Sequence, residues 1–317
     1  MSGFVTIPAG RIEKTLSEIL GSQEGERATY SVGEVGNLVL CSSGKWSDRE
    51  IDDCIEHLAV PHSCRFFIVM PGHAEFSTAV TSRCRKVDKN EHVCTEIVKI
   101  CFPISDAHRA ISVLRSNFLP GVDSELLLFD ENIDRELLKG LFAVVDKVLV
   151  DSSEYAKKFF FLKELLSMPG GLVDAAWLRL LPWREAIKDG TRLNSWDGLT
   201  EIRMSYQTVE PPVEPLLLLA WILIQLNLDV ISCTASGYET RGRGIIPVRM
   251  GVEPVSAVTF VFKDTQSRIV CPELERSKVS LFARYYHHRP RMLEYPVIAR
   301  LALDLELMRQ SFGTSWR

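Results

Sequence analysis

A chain of 317 residues with 46% apolar and 25% charged side chains has the balance of a folded globular protein and length for two cores, which excludes the disordered and fibrous classes. Its 37 basic and 41 acidic residues sum to -4, so no global field recruits nucleic acid and any such contact has to be local. The opening MSGFVTIPAGRIEKTL lacks the charged start and apolar core of a secretory signal, and the longest apolar run, Leu216 to Ile224, is far short of the ~20 residues that cross a membrane, so a cytoplasmic protein with no membrane partner is expected.

The first half alternates apolar runs with helical patterns. Asn37 to Cys41 (NLVLC) reads as a strand, and Ser47 to Ala59 as a helix opened by an S-x-x-E capping box of Ser47 and Glu50, with Trp46 placed to staple onto Ile51. Arg65 to Met70 (RFFIVM) is apolar on consecutive positions, as in a strand covered on both faces. Phe76 to Val87 and His92 to Phe102 alternate with period two around DKNE, which predicts a hairpin. A helix over Ala107 to Phe118, a strand over Glu125 to Phe129, a helix over Ile133 to Ala143, a strand over Lys147 to Val150 and a helix over Glu154 to Leu166 follow. Repeated strand-then-helix units predict an α/β fold, a mixed, largely parallel sheet with helices on both faces. The breaker MPGG, Met168 to Gly171, ends this Rossmann-like domain, placed at residues 1–168.

Residues 169–317 read as α+β: a strand over Leu199 to Gln207, a helix over Glu214 to Leu226, several strands between Val230 and Ala283, and a C-terminal helix over Tyr295 to Gln310. In that last helix Ile298, Leu301, Ala302, Leu305 and Met308 repeat at helical spacing, so that face is expected to be buried. Eight cysteines, at 41, 54, 64, 84, 94, 101, 233 and 271, include no C-x-x-C pair and are expected to be reduced and packed as small apolar side chains.

Several stretches invite a chemical reading. Gly44 and Lys45 resemble the end of a P-loop, but Val39 stands where its first glycine belongs and Trp46 where Ser or Thr should hold Mg²⁺. GYETRGRG, Gly237 to Gly244, runs into a strand and not a helix, so Arg241 and Arg243 sit on a basic hairpin that can meet an anion. Cys54, His57, His62 and Cys64 are zinc-type ligands at a spacing too short for a common finger. His73 and Glu75 form an H-x-E with no P-C-x-x-C after it. No G-x-S-x-G elbow is present, and neither metal nor cofactor is expected. Tyr285, Tyr286, His287, His288, Arg289 and Arg291 interleave aromatics with cations, a pattern that can grip single strands of nucleic acid.

Asp174 to Ile187, DAAWLRLLPWREAI, mixes tryptophan and arginine around Pro182, which suits the first turn of a new helix after a bend. Its tryptophans either seal a junction or form a docking surface, where Trp and Arg are over-represented. The stretch resembles the D-L-N-W-x-R-L-x-P-W-R-E signature of the glucose-6-phosphate dehydrogenase assembly protein family, OpcA. HSCRFFIVM, HVCTEIVKI, VDKVLVDSS and EPLLLLAWIL are similar to further segments of that family in the same order. The chain departs from it at Ala176, Leu181, Leu128 and Phe129. The resemblance implies a non-catalytic protein that binds glucose-6-phosphate dehydrogenase and acts as its allosteric activator in the oxidative pentose phosphate pathway, through Trp177, Arg179, Leu180, Pro182, Trp183, Arg184 and Glu185. The alternative is an enzyme or sensor that binds a nucleotide or sugar phosphate at Gly44 and Lys45 or near Arg241 and Arg243; a third is nucleic-acid binding.

Overall fold

The computed structural model describes residues 3–22, 29–32, 36–44, 47–60, 64–88, 91–128, 133–154, 165–166, 171–191, 196–207, 213–234, 236–242, 244–253, 256–270, 277, 280–283 and 295–312. Backbone proximity divides the chain into a first unit, Met1–Asp151 with Met168–Val173 and Ser277–Pro290, and a second, Ser152–Ser167 with Asp174–Arg276 and Arg291–Arg317.

In the first unit the elements run β1 (Val5–Ile7), α1 (Ile12–Ser22), β2 (Thr29–Val32), β3 (Asn37–Cys41), α2 (Asp48–Cys54), β4 (Arg65–Pro71), β5 (Ser77–Asp88), β6 (Glu91–Phe102), α3 (Ala107–Ser116), β7 (Ser124–Leu128), α4 (Arg135–Phe142), β8 (Lys147–Val150) and β9 (Gly171–Asp174). They build a nine-stranded sheet in the order β1-β5-β6-β4-β3-β7-β8-β9, with β2 beside β6. Strands β6, β4, β3, β7 and β8 are mutually parallel, and the hairpin β5/β6 and the edge strand β1 bring antiparallel pairs. The expected mixed, largely parallel sheet flanked by helices is what forms.

Strands β3 and β4 owe their central place to unbroken apolar runs: Val39, Leu40, Phe66, Phe67 and Ile68 are all fully buried. The capping box is present, with Glu50 N donating to Ser47 Oγ and Ser47 N to Glu50 Oε2. Beyond α2 the helix widens into a π-type turn over Ile55–Ala59. Helix α1, which the strand-and-helix reading passed over, is held by Ile12 and Leu16, four apart on one face and 1% and 0% exposed. At the amino end of β4 the buried Arg65 guanidinium donates to Glu96, to Glu13 and to the Asn117 carbonyl. Burial pushes the Glu96 carboxyl up, against the pull of Arg65.

The cysteine expectation needs correcting: Cys84 and Cys94 form a disulfide. They are directly opposed in the β5/β6 register, with Cα atoms 3.9 Å apart. Cys41, Cys54, Cys64 and Cys101 are buried free thiols as expected, and Cys233 is half-buried. Cys271 lies outside the described residues, as do the proposed staple Trp46, residues 155–164 of the expected helix, Phe129, residues 168–170 of the breaker and residues 284–294 of the aromatic-basic segment.

The second unit contains α5 (Ala175–Arg179), α6 (Leu181–Thr191), β10 (Leu199–Tyr206), α7 (Val213–Gln225), β11 (Asp229–Thr234), β12 (Gly237–Arg241), β13 (Ile245–Val252), β14 (Ala257–Phe262), β15 (Gln266–Val270) and α8 (Tyr295–Phe312). Its six-stranded sheet has the order β11-β12-β13-β10-β14-β15, antiparallel except between β10 and β13. One sheet face, with Ile202, Met204, Val248, Met250, Val258 and Phe260, is core. Helix α7 is buried all round from Val213 to Leu223, as an uninterrupted apolar helix must be. Helix α8 turns Ile298, Ala302 and Leu305 inward, but Met308 is 37% exposed, which corrects the predicted face. Glu306 is buried instead and holds Arg309 within the last turns. Gly237 has φ +149, and a Cβ there would sit 1.9 Å from the Val248 carbonyl oxygen, so only glycine permits the β12/β13 approach. Among the described residues no helix is long and apolar enough to cross a membrane.

Candidate functional site

The parallel strands of the first unit reverse their direction of growth at β3. The chain leaves β3 through α2 to β4 on one side, and after β5, β6 and α3 it returns to β7 on the other. Connections from the carboxyl ends of β3 and β7 therefore part in opposite directions and leave a crevice between them, the place where open α/β sheets take their ligands.

The loop that leaves β3 has three features of its own. Ser42 N donates to the Val69 carbonyl at 3.0 Å, which carries the pairing with β4 one residue past the strand. The Ser42 side chain is 0% exposed and its Oγ has no hydrogen-bond partner. A buried hydroxyl left unpaired costs about 1–3 kcal/mol, so its retention calls for a partner that arrives from elsewhere. Gly44 then turns the chain at φ +90, and a Cβ built on it would meet nothing within 4 Å, so the turn faces open space. Lys45 lies outside the described residues. The two carboxylates of Asp48 and Glu50 occupy the first turn of α2 and weaken the pull of that helix end on an anion.

Beside this loop, at the same end of the sheet, β4 runs into a second glycine turn at Gly72, φ +91. His73 N donates to the Phe102 carbonyl at 3.1 Å, which ties the turn to the end of β6. His73 and Glu75 are exposed, and Phe76 packs on Phe102 with the Arg109 guanidinium 4.0 Å above its ring. Sequence reading did not find Ser42 or Arg109. The strand followed by S-S-G was the available signal for the first, and the second had none, because its place depends on α3 starting at the carboxyl end of β6.

These residues do not fit a dinucleotide. A pyrophosphate turn needs three glycines in G-x-G-x-x-G and a carboxylate after the next strand for the ribose. Here Gly44 is the one glycine from Cys41 to Ser47, and β4 ends at Pro71, with Gly72 and His73 following it. An open glycine turn with an unpaired buried hydroxyl fits a single phosphate group better.

The tryptophan-arginine segment lies in the second unit and is closed on itself. Asp174, 0% exposed, accepts from Ala176 N at 2.9 Å, Ser152 N at 3.0 Å, Ser152 Oγ at 2.5 Å and Tyr295 OH at 2.5 Å, and so caps α5. The bend falls at Leu180 and α6 begins at Leu181, with Pro182 in its first turn as the sequence suggested. Trp177, 2% exposed, is held between the Arg184 guanidinium, 3.8 Å over its ring, and Tyr295 at 6.1 Å. Arg179 donates to Ser153 Oγ at 2.9 Å and to Glu214 at 3.3 Å. Leu180 and Trp183 are buried, Pro182 and Arg184 half-buried, and only Glu185 is exposed. Of the seven residues of the expected partner-binding set, Glu185 is thus the one fully exposed, with Pro182 and Arg184 partly so.

The remaining candidates disperse. Arg241 is exposed at the end of β12, a 3.0 Å bond from Gly242 N to the Gly244 carbonyl closes the turn, and Arg243 lies outside the described residues. Cys54 and Cys64 are buried, His57 is exposed and His62 lies outside the described residues. Burial pushes the Cys64 thiol up to about 12. Among the described residues no group of three ligands could hold a metal ion.

No family model matches the chain, and no curated protein does. Solved structures of related chain course include GenD2 from gentamicin A biosynthesis, in complex with NAD, at 10% identity over 91% of this chain and 97% of that one, TM-score 0.49. Others are the myo-inositol dehydrogenase of Lactobacillus casei (9% identity, 87% and 95% covered, TM-score 0.43) and KijD10, a 3-ketoreductase from Actinomadura kijaniata (12%, 87% and 97%, TM-score 0.42). Likeness at this level carries no activity across. The family resemblance is corrected: no family model and no curated relative supports an assembly protein. The non-catalytic, allosteric-activator reading falls with that resemblance, and the dehydrogenase named as partner rested on it alone. The physical reason lies in the signature, whose Trp, Arg and Pro positions are those of a capped, buried helix corner.

Proposed function

We propose that the first unit binds a phosphate-bearing small molecule, a nucleotide or a sugar phosphate, in the crevice at the carboxyl ends of β3 and β7, and that the protein is an enzyme or sensor for that ligand in the cytoplasm. The observation that carries this is the unpaired, buried Ser42 hydroxyl at the strand where the sheet changes direction. In this role Ser42 Oγ donates to a phosphate oxygen, the open turn at Gly44 lets backbone N–H groups approach it, and Lys45 and Arg109 supply positive charge.

A thermal-shift screen with ATP, AMP and fructose 6-phosphate tests it. A ligand at 100 times its Kd should stabilise the chain by about 2.7 kcal/mol. Ser42→Ala should weaken that ligand about tenfold while leaving the free protein as stable or more so, since it removes a buried group with no partner. If none of the three stabilises the chain, or Ser42→Ala binds like the parent, the proposal fails.

A further inference from the structure

The second unit holds a cavity of about 430 Å³ between α6, α7 and the sheet, which the phosphate crevice does not involve. Its walls are aromatic. Trp196, from the turn before β10, stands edge-on to Phe260 at 5.2 Å and remains 37% exposed at the rim, and Trp221 of α7 borders the cavity with its indole otherwise buried. Among the described residues the one charged group that lines it is Lys188 of α6, whose ammonium lies 5.8 Å over the Trp221 ring. Among the described residues Lys188 forms no ion pair and no carboxylate lines the cavity to oppose an anion. Gln225, one turn beyond Trp221, offers an amide, and the Thr191 hydroxyl donates to the Ile187 carbonyl at 2.6 Å, which leaves its lone pairs to accept.

A cavity of this size is typical of small-molecule sites, which join apolar walls to a few placed polar groups. Flat walls of indole and phenyl select a planar ring, since aromatic faces and edges gain from offset or edge-to-face contact. A solitary ammonium at the mouth selects a negative substituent on it. We infer that this cavity is a binding site for a planar aromatic anion, a one- or two-ring carboxylate whose ring lies among Trp196, Trp221 and Phe260 and whose charge meets Lys188.

Naphthalene-1-carboxylate and its neutral carboxamide, titrated into the full chain and followed by tryptophan fluorescence and calorimetry, separate the ring from the charge. The carboxylate should saturate one site and quench tryptophan emission. Lys188→Gln should weaken the carboxylate about tenfold, the loss of one charge-assisted hydrogen bond, and change the carboxamide less than twofold. Trp196→Ala should weaken both; should it not fold, Trp196→Leu serves, with the melting temperature as control. Gly44→Val in the first unit should leave both affinities unchanged, so a failure here is distinct from a failure of the phosphate site. No saturation by either compound, or equal losses of both in Lys188→Gln, overturns the inference.

Discussion

Two corners of this molecule have the same plan and opposite finishes. In the first unit β3 ends, the chain turns at Gly44 and α2 starts behind a Ser47 cap; in the second α5 starts behind an Asp174 cap. At the Asp174 corner one carboxylate takes four donors and Arg179 meets Glu214. At the Gly44 corner a hydroxyl is buried without a partner and the turn opens on empty space. The corner rich in tryptophan and arginine is finished; the plain Ser-Ser-Gly corner is not. Conspicuous side chains mark where the chain stabilises itself, and an unmet hydrogen bond marks where it waits for something.

The contrast is most exposed at Asp174. Asp174→Ala strands four donors in the interior and should cost about 3–5 kcal/mol in urea unfolding. A loss under 1 kcal/mol would mean that the corner is wet and not closed. Arg179→Met leaves the Glu214 carboxylate buried alone and should cost about 3 kcal/mol, while adding Glu214→Leu should restore most of it. If the double variant is no better than the single, the pair is not what holds the corner.

A pH series compares the closed amino end of the parallel sheet with its open carboxyl end. The Cys64 thiol, beside β4's first residue, is pushed up to about 12 by burial, above its ordinary 9.0. The unfolded chain therefore releases this proton first, so stability is full below pH 9 and falls between pH 9 and about 12, by about 1 kcal/mol per unit. Cys64→Ala should flatten that alkaline limb; an unchanged slope would assign it to other groups. Smallest of all, Ser47→Ala removes a cap and should cost about 1 kcal/mol, since helix α2 is held mainly by Ile51, Cys54, Ile55 and Leu58 in the core.

How much of this could be read beforehand differs by element. Strands β3 and β4 announce themselves by consecutive apolar residues, the hairpin by its period and the cap of α2 by Ser47 and Glu50, because each signal is local. The disulfide was within reach: a hairpin centred on DKNE places Cys84 opposite Cys94, and only the absence of a C-x-x-C pair turned attention away. Helix α1 is legible, with Ile12, Leu16, Ile19 and Leu20 at helical spacing, whereas strand β1, three residues long, carries too short a pattern to stand out. The crevice was out of reach, because it depends on β7 choosing the free side of β3, a pairing across more than eighty residues. The closure of the tryptophan segment was hidden for the same reason, since Arg179 meets Glu214 35 residues on and Asp174 meets Tyr295 121 residues on. The resemblance to an assembly protein rested on that segment and on short strand matches, features that a shared packing corner supplies without a shared function.

The most direct test is amide hydrogen exchange on the full chain, with and without the tightest binder among ATP, AMP and fructose 6-phosphate. Slowed exchange at Ser43, Gly44 and Ser47, with the amides from Ala175 to Thr191 unchanged, is the predicted footprint. Protection confined to the second unit, with the loop after β3 exchanging as freely as before, would contradict a ligand site at the end of the parallel sheet.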